Sequence, residues 1–202
     1  MYDPVRQESP LARFEAEAGD RPRPEAPGVR LFERPFRGHV NLRGNTGDAV
    51  FLNAVAGVLG FGLPVAPNTF FEDASLTALW LGPDEWLIVT PPGGESTIAF
   101  ALKDALGGTF SSVTDVTGGQ TVVRISGPRA RDVLAKGCTL DLHPREFGPG
   151  RCAQTLLAKA MVTVMQVDDS PAFDLIVRRT FADYLAHWLR DAAAEFGLEE
   201  AP

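Results

Sequence analysis

Residues 121–151 read TVVRISGPRARDVLAKGCTLDLHPREFGPGR. The β-branched run Thr121–Ile125 alternates as a half-buried strand does. Ser126-Gly127-Pro128 ends it: Ser126 can cap a helix, Gly127 lets the backbone turn sharply, and Pro128 suits a first helical turn. Ala130, Val133 and Leu134 then recur at helical spacing, with Arg129, Arg131, Asp132 and Lys136 on the other side. Gly137 fits the C-terminal cap, and Pro144 bars His143 from continuing a helix. The stretch predicts a strand, a tight turn and a short amphipathic helix.

Working outward, the same unit recurs. Val40–Gly44 is a short alternating strand before a helix over 48–59, DAVFLNAVAGVL. Leu76–Leu81 and Glu85–Thr90 are strands joined by the turn Gly82-Pro83-Asp84, and a helix follows near 96–106. In the second half, Cys152–Val167 is a strand pair interrupted near Lys159. Phe173–Arg178 is a strand, and a helix runs over 181–196. LIVTPP (87–92) corresponds to LIVRRT (175–180), a separation of about 85 residues, and internal repetition of that length marks architecture. The expected fold is α+β, with two pseudo-repeated β-α-β-β-α halves packed together. Residues 35–110 form the first half and 111–198 the second. Gly118-Gly119, between Val113–Thr117 and Gln120–Ile125, reads as a hairpin or bulge.

Residues 1–34 differ from the rest. Only Ser9–Ala18 can form a short helix, and Arg21–Pro27 is held extended by its prolines. Two readings fit: a solvated tail, or an arm lying along a partner with Leu11 and Phe14 as anchors, three apart on one helical face.

The chain has 202 residues, is 45% hydrophobic and carries a net charge of −7. That length supports one compact unit of two halves. The acidic balance argues against a nucleic-acid or anionic-membrane partner, since such surfaces need clustered Lys and Arg. No apolar run is long enough to cross a membrane. The first ten residues lack the apolar core of a secretory signal. Two cysteines, Cys138 and Cys152, make no disulfide framework, so the expected compartment is the cytoplasm.

No catalytic constellation stands out. His39, His143 and His187 are far apart, and none has a second ligand at metal-binding spacing. Cys138, Asp141 and His143 lie close in CTLDLH, yet Cys138 falls at a helix C-terminus, where the dipole disfavours a thiolate. Gly57, Gly60 and Gly62 follow a helix, the wrong order for a dinucleotide loop, and no Lys-Ser/Thr follows Gly93-Gly94. Asp84 and Glu85 are adjacent and point to opposite faces. Trp80 and Trp86 suit a core or an interface. Arg145, Arg151, Arg178 and Arg179 offer a basic patch for salt bridges. These residues assign no catalytic, cofactor or metal site to the chain. The expected partner interface is Leu11 and Phe14 on the arm, with Arg145 and Arg151 on the loop between them.

Several segments resemble one family. WLGPDEWL (80–87), SGPRARDVLAKGC-x-LDLHP (126–144), FGPGRCAQTLL (147–157) and LIVRRTFADYLAHWL (175–189) occur in the order and spacing of the gamma subunit of heterotetrameric sarcosine oxidase, and Ser9-Pro10-Leu11 is similar too. The likeness runs from about Asn41 to Phe196. It implies a fold related to the folate-binding domain of the glycine-cleavage aminomethyltransferase. It also implies a complex that demethylates sarcosine to glycine, reducing oxygen to hydrogen peroxide and passing the methyl carbon on as formaldehyde or to tetrahydrofolate. By that resemblance FAD, FMN, NAD and the folate site belong to the alpha and beta subunits and zinc to the delta subunit. The gamma chain would then be a non-catalytic member docked on alpha. A stand-alone folate-binding, aminomethyltransferase-like module is the alternative, and a transient assembly factor a third reading. Likeness of fold does not by itself grant folate chemistry.

Overall fold

The structure, a computed structural model, describes residues 7–18, 24–73 and 75–200. It begins with α1 (Ala12–Ala18), β1 (Val29–Arg34) and β2 (Gly38–Arg43). It continues through α2 (Ala49–Leu59), β3 (Phe70–Glu72), β4 (Thr77–Gly82), β5 (Glu85–Thr90), α3 (Glu95–Leu106) and β6 (Ser112–Asp115). The second half runs β7 (Gln120–Ser126), α4 (Ala130–Ala135), β8 (Cys152–Leu157), β9 (Ala160–Asp168), β10 (Ala172–Arg178) and α5 (Arg179–Ala193). A 3-10 turn, Ala194–Phe196, leads to β11 (Leu198–Glu200).

Local chemistry explains most elements. Asp48 accepts the Val50 amide at 2.8 Å to cap α2, and Gly60 at φ 82° closes it. Phe51, Val55 and Leu59 make its apolar stripe, and Ala182, Leu185, Ala186, Leu189 and Ala193 make that of α5. The β8–β9 hairpin turns at Ala158-Lys159, with Ala158 at φ 53°, where the sequence shows an interruption.

The strands form two sheets, in the orders β3-β4-β5-β2-β6 and β11-β1-β7-β10-β9-β8. The sheets stack face to face over Leu79, Leu87, Val89, Val122, Cys152, Met165 and Ile176. α2 and α3 cover the outer face of the first sheet through Val40, Leu42, Trp86 and Ile88. α1, α4 and α5 cover the second through Val123, Ile125, Leu175 and Val177. The layers are therefore helix, sheet, sheet, helix. β10, covered on both sides, is buried from Ala172 to Val177.

The duplication is visible strand by strand. Reversing the second order gives β8-β9-β10-β7-β1-β11, which matches β3-β4-β5-β2-β6 position for position over five strands. In the first half the strand beside β2 is β6. In the second the strand beside β7 is β1, which comes from the N-terminal stretch and pairs with β7 from Arg30↔Ser126 to Arg34↔Val122.

Three expectations are corrected by this topology. Residues 1–34 are not all arm, because Val29–Arg34 is an internal strand of the second half's sheet. The halves divide at the turn 116–119 rather than at 111, since β6 pairs with β2. Gly118-Gly119 does not close a hairpin: β6 and β7 lie in different sheets, and this turn carries the chain across, as the Pro35–Arg37 turn does between β1 and β2. The predicted cap at Ser126 is also replaced. Ser126 ends β7, and α4 starts after Arg129 with no side-chain cap. The Arg129 amide donates instead to the Gly28 carbonyl at 3.0 Å. Of the Arg21–Pro27 segment, residues 21–23 lie outside the described residues.

Candidate functional site

The inter-sheet layer carries buried charge at one end. Asp174, the one charged residue in β10 before its end, is 2% exposed. Arg34 donates to its Oδ2 at 2.5 Å, and Arg124 grips it in bidentate fashion at 2.6 and 2.8 Å. The three residues come from adjacent strands β1, β7 and β10, so the clamp staples the N-terminal strand into the sheet. Arg37 lies near this group; burial, together with the positive charges of Arg34 and Arg124, lowers its pKa.

His39 on β2 is wholly buried, and neither ring nitrogen reaches a hydrogen-bond partner in good geometry. Burial pushes its pKa down to about 4, which the Arg37 main chain offsets only in part. The imidazole is therefore neutral at physiological pH. The Cys152 thiol is buried against the Thr69 carbonyl at 3.3 Å, and desolvation drives its pKa up to about 12. A thiol so placed is not a nucleophile at neutral pH. Among the described residues no three His, Cys, Asp or Glu side chains converge as metal ligands.

A cleft of about 340 Å³ opens beside the charged layer. Its walls are the two crossover turns, at Phe36-Arg37 and Thr117-Gly118, and the starts of α3 and α5 at Glu95 and Arg179. Each pair is related by the duplication. Gly38 makes room for the Glu95 carboxylate: a Cβ there would meet Glu95 Oε2 at 2.6 Å. Arg37 and Arg179 bring positive charge to its walls and Glu95 negative, and Arg179 donates to the Glu8 carbonyl at 2.8 Å. Ser9 and Pro10 close the cleft from the arm.

The residues expected at a partner interface lie in three separate environments. Leu11 and Phe14 are 2% and 4% exposed, packed with Leu31, Val123 and Ala186 in the chain's own core. This corrects their reading as partner anchors: the apolar face of α1 is already covered by this chain. Ser9 and Thr121 both donate to the buried Glu33 carboxylate. Arg190 stacks 3.7 Å from the Phe14 ring while bonding Glu17 at 3.0 Å and Glu200 at 2.6 Å. Arg145 is exposed on a loop that Arg131 pins by donating to the carbonyls of Leu142 and Phe147 and to Gln166. Arg151 is half-buried in the seam between sheets, bridged to Thr69. The proposed basic patch is dispersed, since Arg151 bonds to Gln166, at the Phe173 end of β10, while Arg178 ends β10 opposite Gln120. Trp86 is fully buried, with its indole donating to the Pro64 carbonyl at 2.8 Å. The Asp174 clamp was not anticipated from sequence, although an acid inside LIV-rich strand sequence is the signal that marks it.

This duplicated, four-layer arrangement defines a class of fold. Glycine cleavage system aminomethyltransferase T from Bartonella henselae superposes with a TM-score of 0.68, covering 95% of this chain and 58% of that one, at 15% identity, a likeness of fold. Within that class the chain belongs to the sarcosine oxidase, gamma subunit family, whose model matches residues 43–195. A sarcosine oxidase subunit gamma from Corynebacterium sp. (strain U-96) is 38% identical over 176 residues, 85% of this chain and 82% of that one. A chain of the heterotetrameric sarcosine oxidase from Corynebacterium sp. U-96, solved with pyrrole 2-carboxylate, matches with a TM-score of 0.86 at 32% identity, covering 97% and 99% of the two chains.

Proposed function

We propose that this chain is the gamma subunit of a cytoplasmic heterotetrameric sarcosine oxidase, docked on the large alpha subunit as a non-catalytic structural member. The observation that carries the reading is the end-to-end match with a chain of such an oxidase, 97% of one against 99% of the other. The state of the reactive side chains supports it. His39 is neutral and enclosed, the Cys152 thiol stays protonated, and Asp174 is held by two guanidiniums.

In this proposal the alpha, beta and delta subunits carry FAD, FMN, NAD, tetrahydrofolate and zinc. They perform the oxidation: sarcosine, oxygen and water give glycine, formaldehyde and hydrogen peroxide, with the one-carbon unit passed to tetrahydrofolate when it is bound. This chain supplies a rigid surface. Arg145, on a loop anchored by Arg131, is offered to a partner carboxylate. Arg151, Leu11 and Phe14 act from behind, by fixing the seam and the arm.

The test is omission. Co-expression of the other three subunits without this chain should give poor yield of the assembled oxidase, and adding the chain back should restore it. Full assembly and full activity without it would refute the structural role. The 340 Å³ cleft favours one second reading, a free-standing folate-binding module. Tetrahydrofolate raising the melting temperature of the isolated chain in proportion to the logarithm of its concentration would support that reading instead.

A further inference from the structure

The two sheets are unequal. The second has six strands and the first five, and the missing position is the one filled by β11 in the second. There β11 pairs in parallel with β1, from Val29↔Leu198 to Leu31↔Glu200. The strand equivalent to β1 is β6, which ends the first sheet with its outer edge open. Arg43, the last residue of β2, pairs with Ser112, and Ser126, the last of β7, pairs with Arg30. Ser112 therefore stands where Arg30 stands, Val113 where Leu31 does, and Ser111 where Val29 does.

The hydrogen-bond phase agrees with this register. Val116 donates to the His39 carbonyl at 2.9 Å. By the alternation of an antiparallel ladder, Thr114 and Ser112 also face β2, and Ser111, Val113 and Asp115 present their N–H and C=O groups outward. In the second half the residue matched to Ser111 is Val29, whose amide donates to the Gly197 carbonyl at 3.3 Å, the residue just before β11. The surface is open at the start of this edge, across the end of the sheet. A groove of about 520 Å³ begins at Phe110, Ser111 and Ser112 and runs past Arg43–Thr46 to Pro83-Asp84. Phe110 is 97% exposed. An unpaired edge flanked by an exposed aromatic is a template for strand addition.

We infer that β6 is completed in the assembled oxidase by an extended segment of another subunit, running parallel to β6 in the register of β11. The segment packs an apolar side chain against Phe110 at the start of the edge and, continued two residues past the length of β11, sets a cationic one beside the exposed carboxylate of Asp115. This rests on the subunit reading above and deepens it by naming the edge and the backbone mode of docking.

Hydrogen exchange of the free chain and of the purified oxidase, measured peptide by peptide, tests it. Exchange over 110–116 should slow at least tenfold in the complex. Phe110→Asp, a change at a side chain that packs against nothing, should leave the free chain's melting temperature unchanged and raise the Kd for the remaining subunits. Val113→Pro, which deletes one outward N–H, should weaken association about three- to tenfold, the worth of one hydrogen bond. A chain that enters the complex with 110–116 exchanging as fast as when free overturns this inference and leaves the subunit reading intact. A chain that never enters the complex refutes both. Protection already present in the free chain, together with a dimer mass in light scattering, assigns the edge to a second copy and likewise overturns it.

Discussion

Replacing Asp174 by Ala would unmake the charged clamp between the sheets. The carboxylate is 2% exposed and accepts three hydrogen bonds from Arg34 and Arg124, whose side chains are each 21% exposed. Without it two guanidiniums remain close together in the inter-sheet layer with no counter-charge between them. Breaking a buried ion pair from one side costs about 3–5 kcal/mol. In a domain of this size each kcal/mol is worth about 2–4 °C, so the melting temperature should fall by about 6–20 °C. Thermal unfolding followed by circular dichroism measures it. Asp174→Leu combined with Arg34→Met and Arg124→Met should recover most of the loss, because it is the unpaired charge, rather than the missing bond, that costs. A drop under about 2 °C for Asp174→Ala would refute the argument that this clamp holds β1 in the sheet.

Three further outcomes follow from the same geometry. His39 titrates near 4 when folded and near 6.5 when unfolded, so between these values the unfolded chain binds more protons. Stability should therefore fall as pH falls from about 6.5 towards 4, by at most about 3 kcal/mol, and His39→Leu should flatten this part of the denaturation profile. Arg190→Ala removes the group that ties Phe14 and Glu17 of α1 to Glu200 of β11. It should cost about 3 kcal/mol and speed protease cleavage within residues 7–18, in free-chain digests read by mass spectrometry. Gly127→Ala forces a Cβ to within 2.6 Å of the Gly28 carbonyl at φ 111°, and urea unfolding should register a loss of about 1–3 kcal/mol.

What sequence made legible was each half's local grammar. The alternating runs at Val40–Gly44, Glu85–Thr90, Gln120–Ile125 and Phe173–Arg178 are strands, and the caps and stripes around them place α2 and α3 within a residue and α5 within three. Sequence did not show which strand joins which sheet. β1 alternates as a strand should, but its neighbours are prolines, and its partner β7 lies about 90 residues away. The turn at Gly118-Gly119 carries a real reversal signal, and that signal says nothing about whether the chain returns to its own sheet or crosses to the other. Leu11 and Phe14 show the same limit. Their spacing marks an apolar helical face, but whether the covering surface is the chain's own or a partner's depends on where α5 and β1 stand. The family-like segments were readable, because they are properties of contiguous residues; the Asp174 clamp joins three strands and was not.

The central claim is that this chain works as one member of a four-subunit sarcosine oxidase. Its most direct test is to tag the chain in its host, purify it gently and determine the mass, absorption spectrum and sarcosine-dependent peroxide production of what elutes. The expected eluate is a yellow complex of four different chains in equal amounts that makes peroxide from sarcosine. A colourless tagged chain eluting alone, while an active oxidase lacking it is recovered from the same cells, would contradict it.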